Sequence, residues 1–191
     1  MPTEESADHI DLTRQICADQ LAPIVGAAEE AAQFPRDPFA LLGSSGLLSL
    51  PYDEKHGGGG QPYEVYLQVI EEIASAWMSV AVGVSVHSLT CYPVAQYGSD
   101  QQQADLLPAM LSGQTLGAYC LSETQAGSDV SAISTQAKPT EDGSQYSVTG
   151  TKAWLSHAGH ADFYTPSART EPPPRTGLPC FLLPAAPPRP P

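Results

Sequence analysis

The chain has 191 residues, enough for one ordinary domain or two small ones, and its 41% hydrophobic content suffices for a core and is too high for a disordered chain. A net charge of −13, from 8 Lys+Arg against 21 Asp+Glu, excludes the basic footprint that non-specific nucleic-acid or anionic-membrane binding needs, while leaving room for a phosphate-bearing ligand held by backbone N–H groups. Cys17, Cys91, Cys120 and Cys180 are scattered without a C-x-x-C, which argues against a zinc knuckle or redox pair and for a reduced, cytoplasmic setting. The first residues, MPTEESADH, carry no signal-peptide pattern, and no apolar run reaches the length expected of a membrane span.

Residues 9–33 predict a helix, because Ile10, Cys17, Leu21, Ile24 and Ala28 recur at helical spacings; Pro23 predicts a kink or a break within it. A shorter helix is expected from Pro38 to Ser44, ended by Gly46. Asp53–Gly60 contains four consecutive glycines. No Gly-Lys-Ser/Thr follows them and no dinucleotide fingerprint is present, so a flexible or tightly turning connector is expected rather than a phosphate loop. Tyr66, Val69, Ile70, Ile73, Ala74 and Trp77 form the clearest helical stripe. Glu71 and Glu72 lie off that stripe and diverge by about 100 degrees, which makes them a solvated face rather than an acid–base pair. Across residues 79–97, Val80, Val82, Val84 and Val86 alternate as in a strand, yet the intervening residues are small rather than polar; a buried helix is expected, with His87 a satisfied core histidine. Asp100 to Ser112 predicts another helix, opened by an Asp100–Gln103 capping box and buried through Leu106, Leu107, Met110 and Leu111.

After Gly113 the period changes. Strands are expected at Leu116–Leu121, Ile133–Ala137, Gln145–Thr149, from Lys152 to Leu155, and at Phe163–Tyr164, with a hairpin turn at Glu141–Ser144 marked by Asp142-Gly143. The fold class is therefore α+β: an N-terminal all-α domain over residues 1–115, followed by an antiparallel β-domain over 116–165 that is incomplete. Residues 166–191 hold ten of the 19 prolines and predict an irregular tail, in which Pro166 stops the last strand. The Pro187-x-x-Pro190 pattern is expected by chance in such a tract.

Two stretches carry chemistry. One runs from Ala118 to Asp129 and includes Tyr119, Cys120, Leu121, Ser122, Gly127 and Ser128; the other runs from Gly150 to His157 and includes Trp154, Leu155 and Ser156. Hydroxyls and backbone donors at strand ends suit a pyrophosphate or the polar edge of a ring, and an indole suits stacking on a planar ligand. Residue types alone are equally compatible with plain strand-end turns and a core tryptophan. His157 and His160 are three apart, but no third ligand cluster lies near them, so no metal site is expected.

Cys120-Leu121-Ser122-Glu123-Thr124-Gln125-Ala126-Gly127-Ser128-Asp129 resembles the first signature of the acyl-CoA dehydrogenases, and Gly150-Thr151-Lys152-Ala153-Trp154-Leu155-Ser156 resembles their Gly-x-Lys-x-Trp-Ile-Thr segment, at the right separation. Gly46-Leu47-Leu48 with Pro51, the four glycines at 57–60, Glu71-Glu72-Ile73-Ala74, and Gly98 before Leu107-Pro108 extend the resemblance over about residues 10–165. It implies a helical domain, a β-domain and a C-terminal helical bundle, together binding FAD and oxidising an acyl-CoA thioester to the trans-2-enoyl form. By position, Tyr119, Cys120, Leu121, Ser122, Gly127 and Ser128 would line the flavin, Trp154 would pack on the isoalloxazine with Leu155 beside it, and Ser156 would bond the flavin edge. Ser128 would also approach the acyl-CoA substrate, and Glu123 would bond its own turn rather than act as base. The catalytic carboxylate of such enzymes lies in the bundle, as do much of the dimer contact and the adenine pocket. The sequence ends at Pro191, so the resemblance implies a homo-oligomeric enzyme of which this chain is an incomplete portion, with weak or no FAD retention and no turnover of its own. A non-catalytic, self-associating remnant is the alternative. Oxidases and flavin monooxygenases share the architecture, and these two domains do not separate them from dehydrogenases. His157 stands where Asn is commoner.

Overall fold

The computed structural model describes residues 4–171 and 178–185 and divides into two units, Met1–Leu116 and Gly117–Pro191.

The first unit is helical. It opens with α1 (Glu4–Ile16), a π-helical turn (Cys17–Leu21) and α2 (Ala22–Glu30). The expected break at Pro23 takes the form of that π turn. Pro23 has no N–H and its ring would clash with the carbonyl four residues back, and the wider turn just upstream absorbs the misfit, with the Ala22 N–H bonding the Cys17 carbonyl. The extra residue in the turn shifts the helical phase. Ile24, expected on the buried stripe, is 44% exposed, and its neighbour Val25 packs on the core instead.

Next come α3 (Arg36–Ser44), α4 (Tyr63–Ala76), α5 (Met78–Tyr97) and α6 (Asp100–Leu111). Leu21, Phe39, Leu42, Val69, Ile73 and Val80 meet in one core. The glycine run between α3 and α4 is a tight connector. The N–H groups of Gly57, Gly58, Gly59 and Gly60 bond the carbonyls of Glu54, Asp53, Ser49 and Tyr52 respectively, so these donors are spent within the turn rather than offered to a phosphate. Gly58 is required there, since a Cβ would stand 2.0 Å from the Tyr52 carbonyl oxygen.

Burial settles the helix–strand ambiguity at 79–97. Val80, Ala81, Val84, His87, Cys91 and Val94 are buried while Val82 is 49% exposed, a 3.6-residue period that a strand would not produce. His87 Nε2 lies 2.8 Å from the Met110 carbonyl, which can only accept, so Nε2 carries the proton of a satisfied core histidine. One sequence expectation needs correction: α5, with 20 residues, is long and apolar enough to cross a membrane by length and composition. Its buried residues Val80, Ala81 and Val84 belong to the helical core.

The capping box of α6 sits one residue earlier than expected. Ser99, in extended backbone, accepts from the Gln102 N–H at 3.2 Å, and the Gln102 side chain accepts from the Ser99 N–H at 2.9 Å. Gln103 instead donates to the Ala95 carbonyl. Ser99→Ala is expected to cost about 1 kcal/mol, read as a lower denaturant midpoint with an unchanged slope.

In the second unit, β1 (Gly117–Cys120), β4 (Phe163–Pro166) and β5 (Leu183–Pro184) form one sheet in the order β1-β4-β5, and β2 (Gln136–Pro139) and β3 (Tyr146–Thr149) form a hairpin. The β2–β3 hairpin pairs antiparallel as expected and β4 and β5 are also antiparallel, but β1 and β4 run parallel, Gly117 opposite Phe163. The long excursion between them supplies the crossover that parallel pairing requires. The second strand begins at Gln136 rather than Ile133, because the Ser134 and Thr135 N–H groups are drawn to the Glu123 carboxylate. No strand forms over Lys152–Leu155, where Trp154 adopts a left-handed φ of 56°.

In the described part of the tail, β4 ends at Pro166 as expected, and the short strand β5 and two bridges add order beyond it. Pro166 is the last residue of β4 and uses its carbonyl, which accepts from Phe181 N–H at 2.9 Å, so its missing N–H is not called on. Ser167 pairs with Cys180, and the Ala168 N–H bonds the Pro179 carbonyl. Pro172–Pro174 and Pro187–Pro191 lie outside the described residues.

Candidate functional site

Both stretches singled out by sequence lie in the β unit, and the structure joins them. Strand alternation sorts the first. Ala118 and Cys120 point into a small core with Ala161, against which Leu155 and Tyr164 pack. Tyr119 and Leu121 take the other face and line a cleft of about 490 Å³ with Val130, Ser131, Ser167 and Arg169. Burial pushes the Cys120 thiol up to about 11, and its Sγ is directed at the Ala118 carbonyl. Its side chain therefore belongs to packing, and its carbonyl accepts from the Ser167 N–H at 3.2 Å, so Cys120, expected to line the flavin, is committed to the β unit itself.

The chain then turns. Glu123 and Ala126 exchange two backbone hydrogen bonds, at 2.8 and 3.1 Å, and this tight turn presents Gly127 and Ser128 to the outside. A Cβ on Gly127 would meet nothing within 4 Å. Packing within the chain thus gives no reason for a glycine there, whereas a ligand coming close to the backbone would.

Glu123 is the pivot of the arrangement. It is 2% exposed, and its two oxygens accept from the N–H and hydroxyl of Ser134, the N–H and hydroxyl of Thr135, Gln125 Nε2 and Lys152 Nζ, all within 3.0 Å. Burial pushes the carboxyl up, but the hydrogen bonds from Ser134, Thr135 and Lys152 together outweigh it and hold the group well below the usual carboxylate range. Lys152 Nζ also donates to the Leu121 carbonyl at 3.0 Å, and the Ala153 N–H bonds the Ser122 carbonyl at 2.9 Å. One buried ion pair and one backbone bond therefore hold the Ser122 segment against the Trp154 segment. Gly150 permits the approach: a Cβ there would stand 2.3 Å from Thr135 Oγ1.

Trp154 is 79% exposed. A large aromatic in a left-handed backbone, turned away from the core, forgoes burial worth more than 1 kcal/mol within its own chain. Around it, the serines divide in two. Those at 131 and 134 are bonded to carboxylates, whereas the hydroxyls of Ser122, Ser128 and Ser156 have no partner among the described residues. Sequence reading left Lys152 without a role and missed Ser134, Thr135 and Arg169, whose guanidinium donates to the carbonyls of Ser131 and Ile133. The signal for Lys152 was a lone cation in an acidic chain with Glu123 in the matching motif. Nothing local marked the other three. Among the described residues no group of three or more His, Cys, Asp and Glu could hold a metal ion.

A helical unit leads into a small β unit whose two loops present a free tryptophan and uncommitted serines, and this defines a class of α+β protein found among solved structures. Butyryl-CoA dehydrogenase from Megasphaera elsdenii matches with a TM-score of 0.88 at 27% identity, over 98% of this chain and 50% of its own. Glutaryl-CoA dehydrogenase from Mycobacterium smegmatis, solved in complex with FADH2, matches at 0.85 and 28%, over 96% and 46%. The family descriptions "Acyl-CoA dehydrogenase, N-terminal domain" and "Acyl-CoA dehydrogenase, middle domain" match residues 3–114 and 118–189, and the chain belongs to the acyl-CoA dehydrogenase family. An acyl-CoA dehydrogenase of Bacillus subtilis is 30% identical over 95% of this chain and 48% of its own length. The chain spans about half the length of the curated relatives it matches.

Proposed function

We propose that the β unit forms one wall of an FAD site in a protein that oxidises an acyl-CoA thioester between its α and β carbons. The observation that carries this reading is Trp154, exposed and held left-handed beside the Ser122 segment. The residues fit the cofactor. An indole covers a flat ring, uncommitted hydroxyls suit its polar edge, and an open glycine admits a close backbone approach at Gly127. When bound, the flavin supplies the acceptor for the hydride leaving the β carbon. Trp154 would then shield the ring face from water, Ser122 and Ser156 would hold its polar edge, Tyr119 and Leu121 would border the cleft, and the Ser128 hydroxyl would be available to cofactor or acyl-CoA.

Glu123 is not the base in this reading. A carboxylate saturated by six donors, well below the usual carboxylate range, neither reaches nor retains a substrate proton. The residues of this wall bind and orient, and proton abstraction is assigned to a carboxylate that does not belong to it. Association with a second copy and a cytoplasmic setting belong to the same proposal.

The test is a titration of the chain with FAD, following flavin fluorescence. Wild type is expected to bind FAD weakly, too weakly to retain it through purification, yet to quench it at high concentration, and Trp154→Ala to remove most of the quench and weaken binding about tenfold. Gly127→Ala is expected to leave the melting curve within about 0.5 kcal/mol of wild type while weakening FAD about tenfold, since its Cβ meets only the ligand. Binding that ignores both substitutions would refute the reading.

A further inference from the structure

The strap from Trp154 to His157 holds two non-glycine residues in left-handed backbone, φ 56° at Trp154 and 67° at His157. Such conformations persist only where the surroundings hold them. Between them Leu155 packs against Ala118, Cys120 and Ala161, and the strap closes on itself through Ala158 N–H to the Leu155 carbonyl and through His160 and Ala161 N–H to the His157 carbonyl. Two side-chain bonds lead out of this local web: the Gly159 N–H donates to the Tyr164 hydroxyl at 3.3 Å, and the His157 ring reaches β1. His157 Nδ1 lies 2.8 Å from the carbonyl oxygen of Gly117, the first residue of β1 and 40 positions away. A carbonyl only accepts, so Nδ1 carries the hydrogen. Two residues further along β1 stands Tyr119, on the face that lines the cleft.

We infer that His157 is a positioning residue: its Nδ1–H bond to the Gly117 carbonyl fixes the strap that presents Trp154 and Ser156, relative to the strand that presents Tyr119. The inference rests on the flavin reading for what the strap faces, but not for how it is held. Asn Nδ2 and His Nδ1 are each three bonds from Cα, and Asn tolerates left-handed backbone. Both can therefore make this bond from this conformation.

Two variants separate the bond from the backbone strain. His157→Asn keeps a donor at the same reach. His157→Gly relieves the left-handed strain and removes the donor. With 5-fluorotryptophan incorporated, the fluorine NMR spectrum has two lines, from Trp77 and Trp154, assigned with Trp154→Phe; buried Trp77, in the helical unit, serves as internal control. In the absence of flavin, His157→Asn is expected to leave the Trp154 line at its wild-type position and width. His157→Gly is expected to shift and narrow that line while the Trp77 line stays put. FAD affinity should follow, within about twofold of wild type for Asn and about tenfold weaker for Gly. A Trp154 line in His157→Gly identical to wild type overturns the inference, as does an Asn variant as disturbed as the Gly variant. The expected fluorine pattern with a wild-type Trp154 line that does not respond even to the highest FAD concentration would support the positioning role and overturn the flavin reading instead.

Discussion

Lys152→Met is expected to lower the stability of the β unit by about 3 kcal/mol. The substitution removes the ammonium from a pair whose side chains are 9% and 1% exposed, leaving the Glu123 charge buried and the Leu121 carbonyl without its side-chain donor. The cost is placed at the low end for a broken buried pair, because five other donors still face the carboxylate. The same pair gives the unit an acid sensitivity of definite sign. The Glu123 carboxyl is depressed in the folded chain, so its contribution is fully present above the unfolded carboxylate value of about 4.3 and is lost as pH falls below that toward the depressed folded value. Denaturant melts of wild type and Glu123→Gln should differ most near neutral pH and converge in acid. Parallel pH curves would show that the buried charge is not what fastens the loops.

The second large effect is expected at Gly150. Alanine there places a Cβ 2.3 Å from Thr135 Oγ1, 2.7 Å from its Cβ and 2.8 Å from its Cα. Thr135 cannot swing aside, since its N–H and hydroxyl are both committed to Glu123. Gly150→Ala should cost about 2–3 kcal/mol. Because the clash is enforced by the Glu123 network, combining it with Lys152→Met should cost measurably less than the sum of the two. Strict additivity in a double-mutant cycle would mean that the glycine and the ion pair act separately.

What sequence made legible follows from what is periodic or local. The stripe of α4 and the switch from helical to strand spacing after Gly113 were readable because burial imposes a period on many residues at once. The two signature stretches were readable because their residue types recur in order. Phase errors came from single residues. The π turn at Cys17–Leu21 moved Val25 into the place expected for Ile24, and the capping box fell at Ser99 rather than Asp100, a choice between two equally good N-cap residues. In the site, the role of Glu123 as a turn fastener could be inferred, but its partners could not. Ser134, Thr135 and Lys152 come to it from 11, 12 and 29 residues away, a pairing that only the folded β unit creates. The expected strand at Lys152–Leu155 failed for the same reason: Lys152 is pulled toward Glu123 and Trp154 is turned left-handed, so tertiary bonds override an apolar run.

The central claim is that the Tyr119–Ser122, Gly127–Ser128 and Trp154–Ser156 segments form one flavin-facing wall. Amide chemical-shift mapping of the isotopically labelled chain, titrated with FAD to saturation, tests it most directly. The expected result is a set of concentration-dependent shifts confined to those three segments and the Trp154 indole N–H, with the helical unit undisturbed around Val69, Ile73 and Val80. Shifts clustered in the helical unit, or none in the three segments at saturating FAD, would contradict it.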